Sequence, residues 1–361
     1  MRILHVINRF SVANGAAMVI QSIVPTLISN GHQVDVLGLV DITPSCADVF
    51  IKMGCGYKHL NPEGTTLYSP SILRKLSKEM KKYDAVHAHL FPSFYWVSLV
   101  KLLCGYKGKI FFTEHSTNNN RQKPYLRLLE RFIYRRYDGI IAISEAVSQN
   151  MIAHLKKDYG VSVINNGIDV DHYKNHEPIS REELNIPADA VILTQVARFG
   201  PEKDQMTALK ALANLPENYY MVFVGGGSLM AKHQEAAKEM KVEDRVRFLG
   251  IRRDVAAILK ASDIVVMSSH FEGFGLTAIE GMAAGKPVVA SEVPGLKDVV
   301  KDAGLLFEAH NDVQLAEAIK TLAENKELYA ETVQKCEARA RVYSSDAMAQ
   351  LYEKIYTTGK L

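Results

Sequence analysis

Long apolar runs are missing from this chain of 361 residues. No stretch of about eighteen consecutive apolar residues occurs, so no helical membrane span is expected. The opening run, residues 3–7, is too short for the apolar region of a secretory signal, and Asn8 and Arg9 follow at once. Cysteine is scarce. The four, Cys46, Cys55, Cys104 and Cys336, form no Cys-x-x-Cys pair, so neither a zinc site nor a disulfide framework is indicated. A reducing, cytoplasmic compartment fits that usage. Repeats and low-complexity segments are absent, and no Asp-x-Asp pair stands at a strand end to hold a metal.

What remains is ordinary for a globular chain, with 47% hydrophobic and 23% charged residues. The length favours two domains. The net charge of +3 is unevenly spread: residues 1–168 carry +9 and the remainder −6. Such asymmetry points to an anionic surface or polyanion. Two amphipathic segments concentrate the charge. Residues 71–82 set Arg74, Lys75, Lys78, Lys81 and Lys82 beside an Ile72, Leu73, Leu76 and Met80 stripe. Residues 125–137 place Arg127, Arg131 and Arg135 on one ridge. One reading is core-facing stripes with solvated cations. The other is reversible docking on an anionic membrane.

Strand-like and helix-like stretches alternate throughout, which predicts an α/β chain of doubly wound parallel sheets. In the first half strands are expected at 2–7, 33–39, 85–89, 109–113 and 139–143, and helices at 18–30, 71–82 and 125–137. In the second half strands are expected at 190–196, 220–224, 246–249, 264–267 and 287–290. Between the halves, Asn166-Gly167 signals a turn, and a linker is expected over about 170–189. Residues 345–357 form an amphipathic stretch with Met348, Leu351, Tyr352 and Ile355 on one side.

Residues 262–300 carry the most chemistry. Two β-branched runs flank a helical segment, 276–284, stopped by Gly285, a strand–loop–helix–strand unit. The loop 268–275 lies beyond the first strand's carboxyl end, where ligands bind in open α/β sheets. It holds Glu272, and Glu280 follows in the helix. If all eight intervening steps were helical, the acids would lie about 12 Å apart at ~1.5 Å per residue. That is too far to flank one glycosidic bond, which takes roughly 5–9.5 Å, and suits an elongated ligand gripped at two points. Gly273 and Gly275 admit a close backbone, and the amides around Phe274 and Leu276 open a helix N-terminus suited to an anion. Upstream, Arg198 and Lys203 bracket a Gly-Pro turn before another helix, a chemically sensible diphosphate clamp. Without further context these are also ordinary surface charges beside a turn.

The string Glu272-Gly-Phe-Gly-Leu-Thr-Ala-Ile-Glu280 with the following Gly-Lys-Pro-Val-Val-Ala resembles the donor-site signature of glycosyltransferase family 4, retaining enzymes of the GT-B fold. The resemblance implies two Rossmann-like domains facing across a cleft. Residues 1–168, joined by a crossing helix at about 345–361, would be the acceptor side, and residues 169–344 would bind the nucleotide sugar. It puts Arg198 and Lys203 on the diphosphate, Glu272 on the sugar and Glu280 on the ribose. Gly225, Gly226 and the turn at Ile251 would lie along the nucleotide. His89 would stand near the donor sugar. Asn14, His115 and Ser144 would face the acceptor. Where family members carry Gly-Gly-Ala-Glu, this chain has Asn14-Gly15-Ala16-Ala17, keeping Gly15 and lacking the acid. The implied reaction is hexosyl transfer, UDP-sugar being the commonest donor, to an acceptor glycan or lipid-linked sugar, with cations in place of a metal and no other cofactor. The protein would be cytoplasmic, with peripheral docking on the inner face of the cell membrane as an option, and would have no nucleic-acid partner. The alternatives are an epimerase or hydrolase of nucleotide sugars on the same fold, or an inactive binding partner, for which the acid missing at Ala17 is the sole support.

Overall fold

The β-branched runs form two sheets in which every pairing is parallel. The structure is a computed structural model, and it describes residues 1–10, 15–41, 47–115 and 123–361. The chain divides into two units, Met1–Gly167 with Ser345–Leu361, and Ile168–Ser344.

In the first unit the strands are β1 (Arg2–Ile7), β2 (Gln33–Val40), β3 (Gly56–Asn61), β4 (Ala85–His89), β5 (Lys109–Glu114), β6 (Gly139–Ala142) and β7 (Val161–Val163). They run in the order β3-β2-β1-β4-β5-β6-β7. Central β4 is buried along its whole length, whereas edge strand β3 alternates with solvent. One face of the sheet is covered by helix Gly15–Ser29 and helix Ser345–Thr358. Val19, Ile20, Ile23, Val24 and Leu27 of the first meet Met348, Ala349, Tyr352, Ile355 and Tyr356 of the second, all buried. Leu351, expected in that stripe, is 39% exposed. It falls outside the arc that faces the core. The other face is covered by helices Ser71–Met80, Ser93–Leu103 and Arg127–Tyr134.

In the second unit β8 (Val191–Val196), β9 (Tyr219–Val224), β10 (Val246–Phe248), β11 (Ile264–Met267), β12 (Val288–Ser291) and β13 (Leu305–Phe307) run in the order β10-β9-β8-β11-β12-β13. The stretch expected as a linker belongs to this unit. Residues 170–174 form helix Val170–Lys174, and Leu184 and Ile186 are buried beside Ile192, Val222 and Ile258.

Each sheet reverses its winding once, between β1 and β4 in the first unit and between β8 and β11 in the second. Adjacent loops there leave the sheet toward opposite faces, which opens a crevice beyond the strands' carboxyl ends.

Candidate active site

The crevice of the second unit holds a cavity of about 310 Å³. Val196, Ala197 and Arg198 enter it from the end of β8, Lys203 from the following turn, and Met267 from the end of β11. Glu272, Phe274, Gly275, Leu276 and Thr277 complete the lining. Of the residues singled out from sequence, Arg198, Lys203, Glu272, Phe274, Gly275 and Leu276 therefore come together at one place.

The loop over this cavity is fastened from below. Ser268 Oγ donates to the backbone carbonyl of Asp204 at 2.8 Å, and the His270 amide donates to the Glu202 carbonyl at 3.0 Å. Phe274 packs edge-on against Tyr343, ring centroids 5.2 Å apart. Gly275 then turns the chain into helix Leu276–Ala283 at φ +85°. A Cβ there would lie 2.5 Å from Leu296 Cδ2, so only glycine fits both the backbone and the space. No side chain caps this helix start, leaving its first amides directed beyond the N-terminus.

The charges are paired. Lys203 Nζ donates to Glu272 Oε2 at 2.6 Å, with the two side chains only 19% and 15% exposed. Arg198 Nη2 donates to Glu202 Oε1 at 2.6 Å, far more exposed. Glu202's own backbone amide and the Arg198 guanidinium hold its carboxyl below the usual range. The two cations are expected from their spacing to act as one clamp. The structure gives each a carboxylate of its own, and Glu202 could have been found from its place four residues after Arg198.

Glu280 lies on the helix but outside the cavity lining. The eight-residue spacing is not one helix, because the helix starts at Leu276. Burial pushes the Glu280 carboxyl up, opposed by a hydrogen bond from the Tyr173 hydroxyl. Tyr173 sits in the stretch expected as linker, so nothing in the sequence pointed to it.

Gly225, Gly226 and Ile251 stand apart from the cavity lining. Gly225 has φ +136°, and a Cβ there would come within 2.1 Å of the Ala197 carbonyl oxygen. Its glycine serves the packing of the β9 exit on the β8 exit. Ile251 is 87% exposed and lies beside Gly226. Gly273 is unobstructed.

The first unit places its singled-out residues differently. His87 and His89 share one face of β4, their rings stacked at 4.3 Å. His5 stacks beside them at 5.3 and 5.2 Å. His89 is fully buried, with Nε2 3.0 Å from His5 Nδ1 and Nδ1 3.1 Å from His115 Nε2. His87 meets the Tyr356 hydroxyl at 2.7 Å and Thr113 Oγ1 at 2.8 Å. Burial pushes His5 and His115 down to about 3 and lowers His87 and His89 well below the ordinary imidazole value. His89 is thus an interior member of a neutral relay, and His115 is its less buried end. Ser144 caps helix Glu145–Leu155, accepting from the Val147 amide at 3.3 Å. Gly15 opens helix Gly15–Ser29 with no atom near a hypothetical Cβ, so no close approach requires it there. Asn14 lies outside the described residues.

Against known families, residues 176–341 match the model described as "Glycosyl transferases group 1", and residues 13–172 match "Glycosyltransferase Family 4". The chain belongs to the glycosyltransferases. This glycosyltransferase is 27% identical over 328 residues to D-inositol 3-phosphate glycosyltransferase of Corynebacterium glutamicum, covering 82% of this chain and 77% of that one. It is 27% identical over 302 residues to N-acetyl-alpha-D-glucosaminyl L-malate synthase of Bacillus anthracis, covering 80% and 79%. Among solved structures it is similar to Anabaena Alr3699/HepE in complex with UDP, with TM-score 0.81 and 20% identity over 99% of this chain and 100% of that one. The fold is therefore GT-B, as the donor-site string implied. The relatives are a transferase and a synthase, which favours transfer over the epimerase reading.

Proposed function

We propose that this glycosyltransferase moves a hexose-type sugar, with retained configuration, from a UDP-sugar to an acceptor hydroxyl. The observation that carries the reading is the cavity at the β8/β11 switch point, where Arg198, Lys203, Glu272 and an uncapped helix start converge. A nucleoside diphosphate brings charge for the cations and oxygens for the free amides. Arrival of the diphosphate releases Lys203 from Glu272. The lysine then meets phosphate, and the freed carboxylate accepts from hydroxyls of the donor sugar. Glu280, held by Tyr173, takes the ribose hydroxyls, and exposed Ile251 beside Gly226 offers a ledge to the base. Uridine is chosen because Alr3699/HepE was solved with UDP and with UDP-glucose.

The acceptor oxygen bonds to the anomeric carbon as the bond to the diphosphate breaks, and a donor phosphate oxygen takes the acceptor proton. Negative charge grows on the leaving diphosphate, where Arg198, Lys203 and the amides at Gly275–Leu276 stabilise it in place of a metal. Retention rests on the family resemblance. The test is a thermal-shift panel of nucleotides followed by NMR of the product. UDP and one UDP-hexose should raise the melting temperature, and the product should keep the donor's anomeric configuration. A purine nucleotide alone stabilising the protein, or an inverted product, would overturn it.

The acceptor is proposed to be carried at an anionic membrane, in glycolipid or polysaccharide assembly on its cytoplasmic face. Helix Arg127–Tyr134 and the turn before it support this. Tyr125 is 73% and Leu128 76% exposed, and Leu129 and Phe132 are also open. Arg135 and Arg136 stack over the Phe132 ring. Exposed apolar groups ringed by cations suit a lipid interface. Helix Ser71–Met80 lacks this feature, because Ile72, Leu76 and Met80 are buried in the core. No helix among the described residues is long and apolar enough to cross a membrane. Co-sedimentation with anionic liposomes should be strong at low salt and weak at high salt. It should be lost in Leu128→Glu/Phe132→Glu. Equal recovery with neutral and anionic vesicles would sink this part.

A further inference from the structure

A cluster at the carboxyl edge of the second sheet has no role in the transfer described above. Asp204, His270 and His310 each offer one ligand atom, and the three atoms lie within 4.8 Å of one another. They come from three separate connections: Asp204 from the β8 exit, His270 from the β11 exit and His310 from the segment after β13. We propose that these three residues bind a borderline divalent cation, with zinc the ion of choice.

The donor set selects the ion class. Imidazole nitrogen suits zinc and its transition-metal neighbours, while magnesium and calcium prefer sites built of oxygen. Two histidines and one carboxylate are a common zinc set, with water filling the fourth position. At metal–ligand lengths of about 2.0–2.1 Å, tetrahedral ligand atoms stand roughly 3.3 Å apart. His310 Nδ1 already lies 2.7 Å from Asp204 Oδ2, and the His270 and His310 rings are 5.1 Å apart at 36°. Closure needs only small rotations of two exposed imidazoles. Their exposure also gives the ion an entry path.

The carboxylate is fixed in advance. Asp204 Oδ2 accepts from Thr207 Oγ1 at 2.8 Å, Oδ1 accepts from the Thr207 amide at 3.3 Å, and the Asp204 side chain is only 12% exposed. Hydrogen bonds to a ligand from the residues behind it hold that ligand ready for a metal. The His270 backbone is held in turn by its amide N–H, which donates to the Glu202 carbonyl. The buried trio His5, His87 and His89 also has ligand atoms close together, but His87 and His89 spend both ring nitrogens on hydrogen bonds, which leaves only His5 Nε2 without a partner.

Asp204 follows Lys203 directly, and His270 precedes Glu272 by two residues. An ion bridging Asp204 to His270 therefore joins the same two segments as the Lys203–Glu272 pair, and His310 adds a third. The metal acts as a clasp on the loop 268–275 and takes no part in the transfer.

The experiment is calorimetric titration of the chelator-treated full chain with zinc chloride, with magnesium chloride as a control. Cobalt absorption serves as a second reading of nitrogen ligation. One equivalent of zinc should bind, magnesium should not compete, and cobalt should give visible bands of a four-coordinate site. His270→Ala and His310→Ala should each weaken zinc by at least about ten-fold. Asp204→Asn, which keeps the helix cap, should do the same. His176→Ala, at a histidine outside the cluster, should bind as the parent does. Absence of saturable one-to-one binding would overturn the proposal, as would undiminished binding in the His270→Ala/His310→Ala double variant.

Discussion

Lys203 and Glu272 face each other before any donor arrives, and that pairing makes the residue-scale predictions asymmetric. Lys203→Ala removes a diphosphate cation and leaves a mostly buried carboxylate unpaired. Turnover should fall by about 10²–10³, the scale of a lost oxyanion donor, and the melting temperature should also drop. Arg198→Ala should cut turnover with little change in stability, because its pair with Glu202 is largely solvent-screened. Steady-state rates and melting curves of the two variants check both statements, and near-parent turnover in both would remove the clamp. The acids divide differently. Glu280→Ala should weaken binding of free UDP in calorimetry and Glu272→Ala should not, since the sugar is absent from UDP. The opposite order would exchange their roles.

At the scale of the element, the histidine relay links β1, β4 and β5 to helix Ser345–Thr358. Its members are neutral in the folded chain because burial depresses them. Once unfolded they titrate near 6.5, so below that pH the unfolded state binds more protons and stability falls as pH falls. The loss runs from about 6.5 down to the depressed folded values, near 3 for His5 and His115. Each such histidine contributes up to about 1.4 kcal/mol per pH unit. Urea unfolding at pH 7.5, 6.5 and 5.5 should show a steepening loss that one histidine alone cannot supply, and a flat profile would contradict it. Tyr356→Phe deprives His87 Nδ1 of its buried partner and should cost about 1–3 kcal/mol.

The same scale shows where the sequence was readable. The β-branched runs at 264–267 and 85–89 announce their strands, and Glu272 with Gly275 announces the loop. Strand β3 was hidden because Gly56, Lys58 and Asn61 belong to an edge that needs little apolar character. Helix Lys326–Val342 was hidden because it buries only Thr332, Cys336 and Ala340 along a polar length. His89's partner His5 and Glu280's partner Tyr173 were invisible for another reason. Their contacts join distant segments, which local patterning does not record.

Across the whole molecule, the chemistry proposed for the cavity uses cations of the protein where other transferases use a metal. Turnover should persist in EDTA, and full loss restored by magnesium or manganese would refute the metal-free mechanism. The molecule is also cut unevenly along its sequence. Residues 345–361 belong to the first unit, after the entire second unit has intervened. A chain ending at Ser344 should keep the second unit's folding and UDP affinity. Its first unit should bind hydrophobic dyes and melt earlier, because Val19, Ile23 and Leu27 lose their cover.

That arrangement separates the order of synthesis from the order of completion. The first sheet leaves the ribosome early, with helix Gly15–Ser29 in place but its partner helix not yet made. The second unit, continuous from Ile168 to Ser344, emerges whole and can close its own core first. Throughout that interval the side of the helix carrying Val19, Ile20, Ile23, Val24 and Leu27 lacks the cover that helix Ser345–Thr358 gives it. The growing chain carries an uncovered apolar stripe for as long as the second unit takes to translate, and it is then that the protein most needs a chaperone.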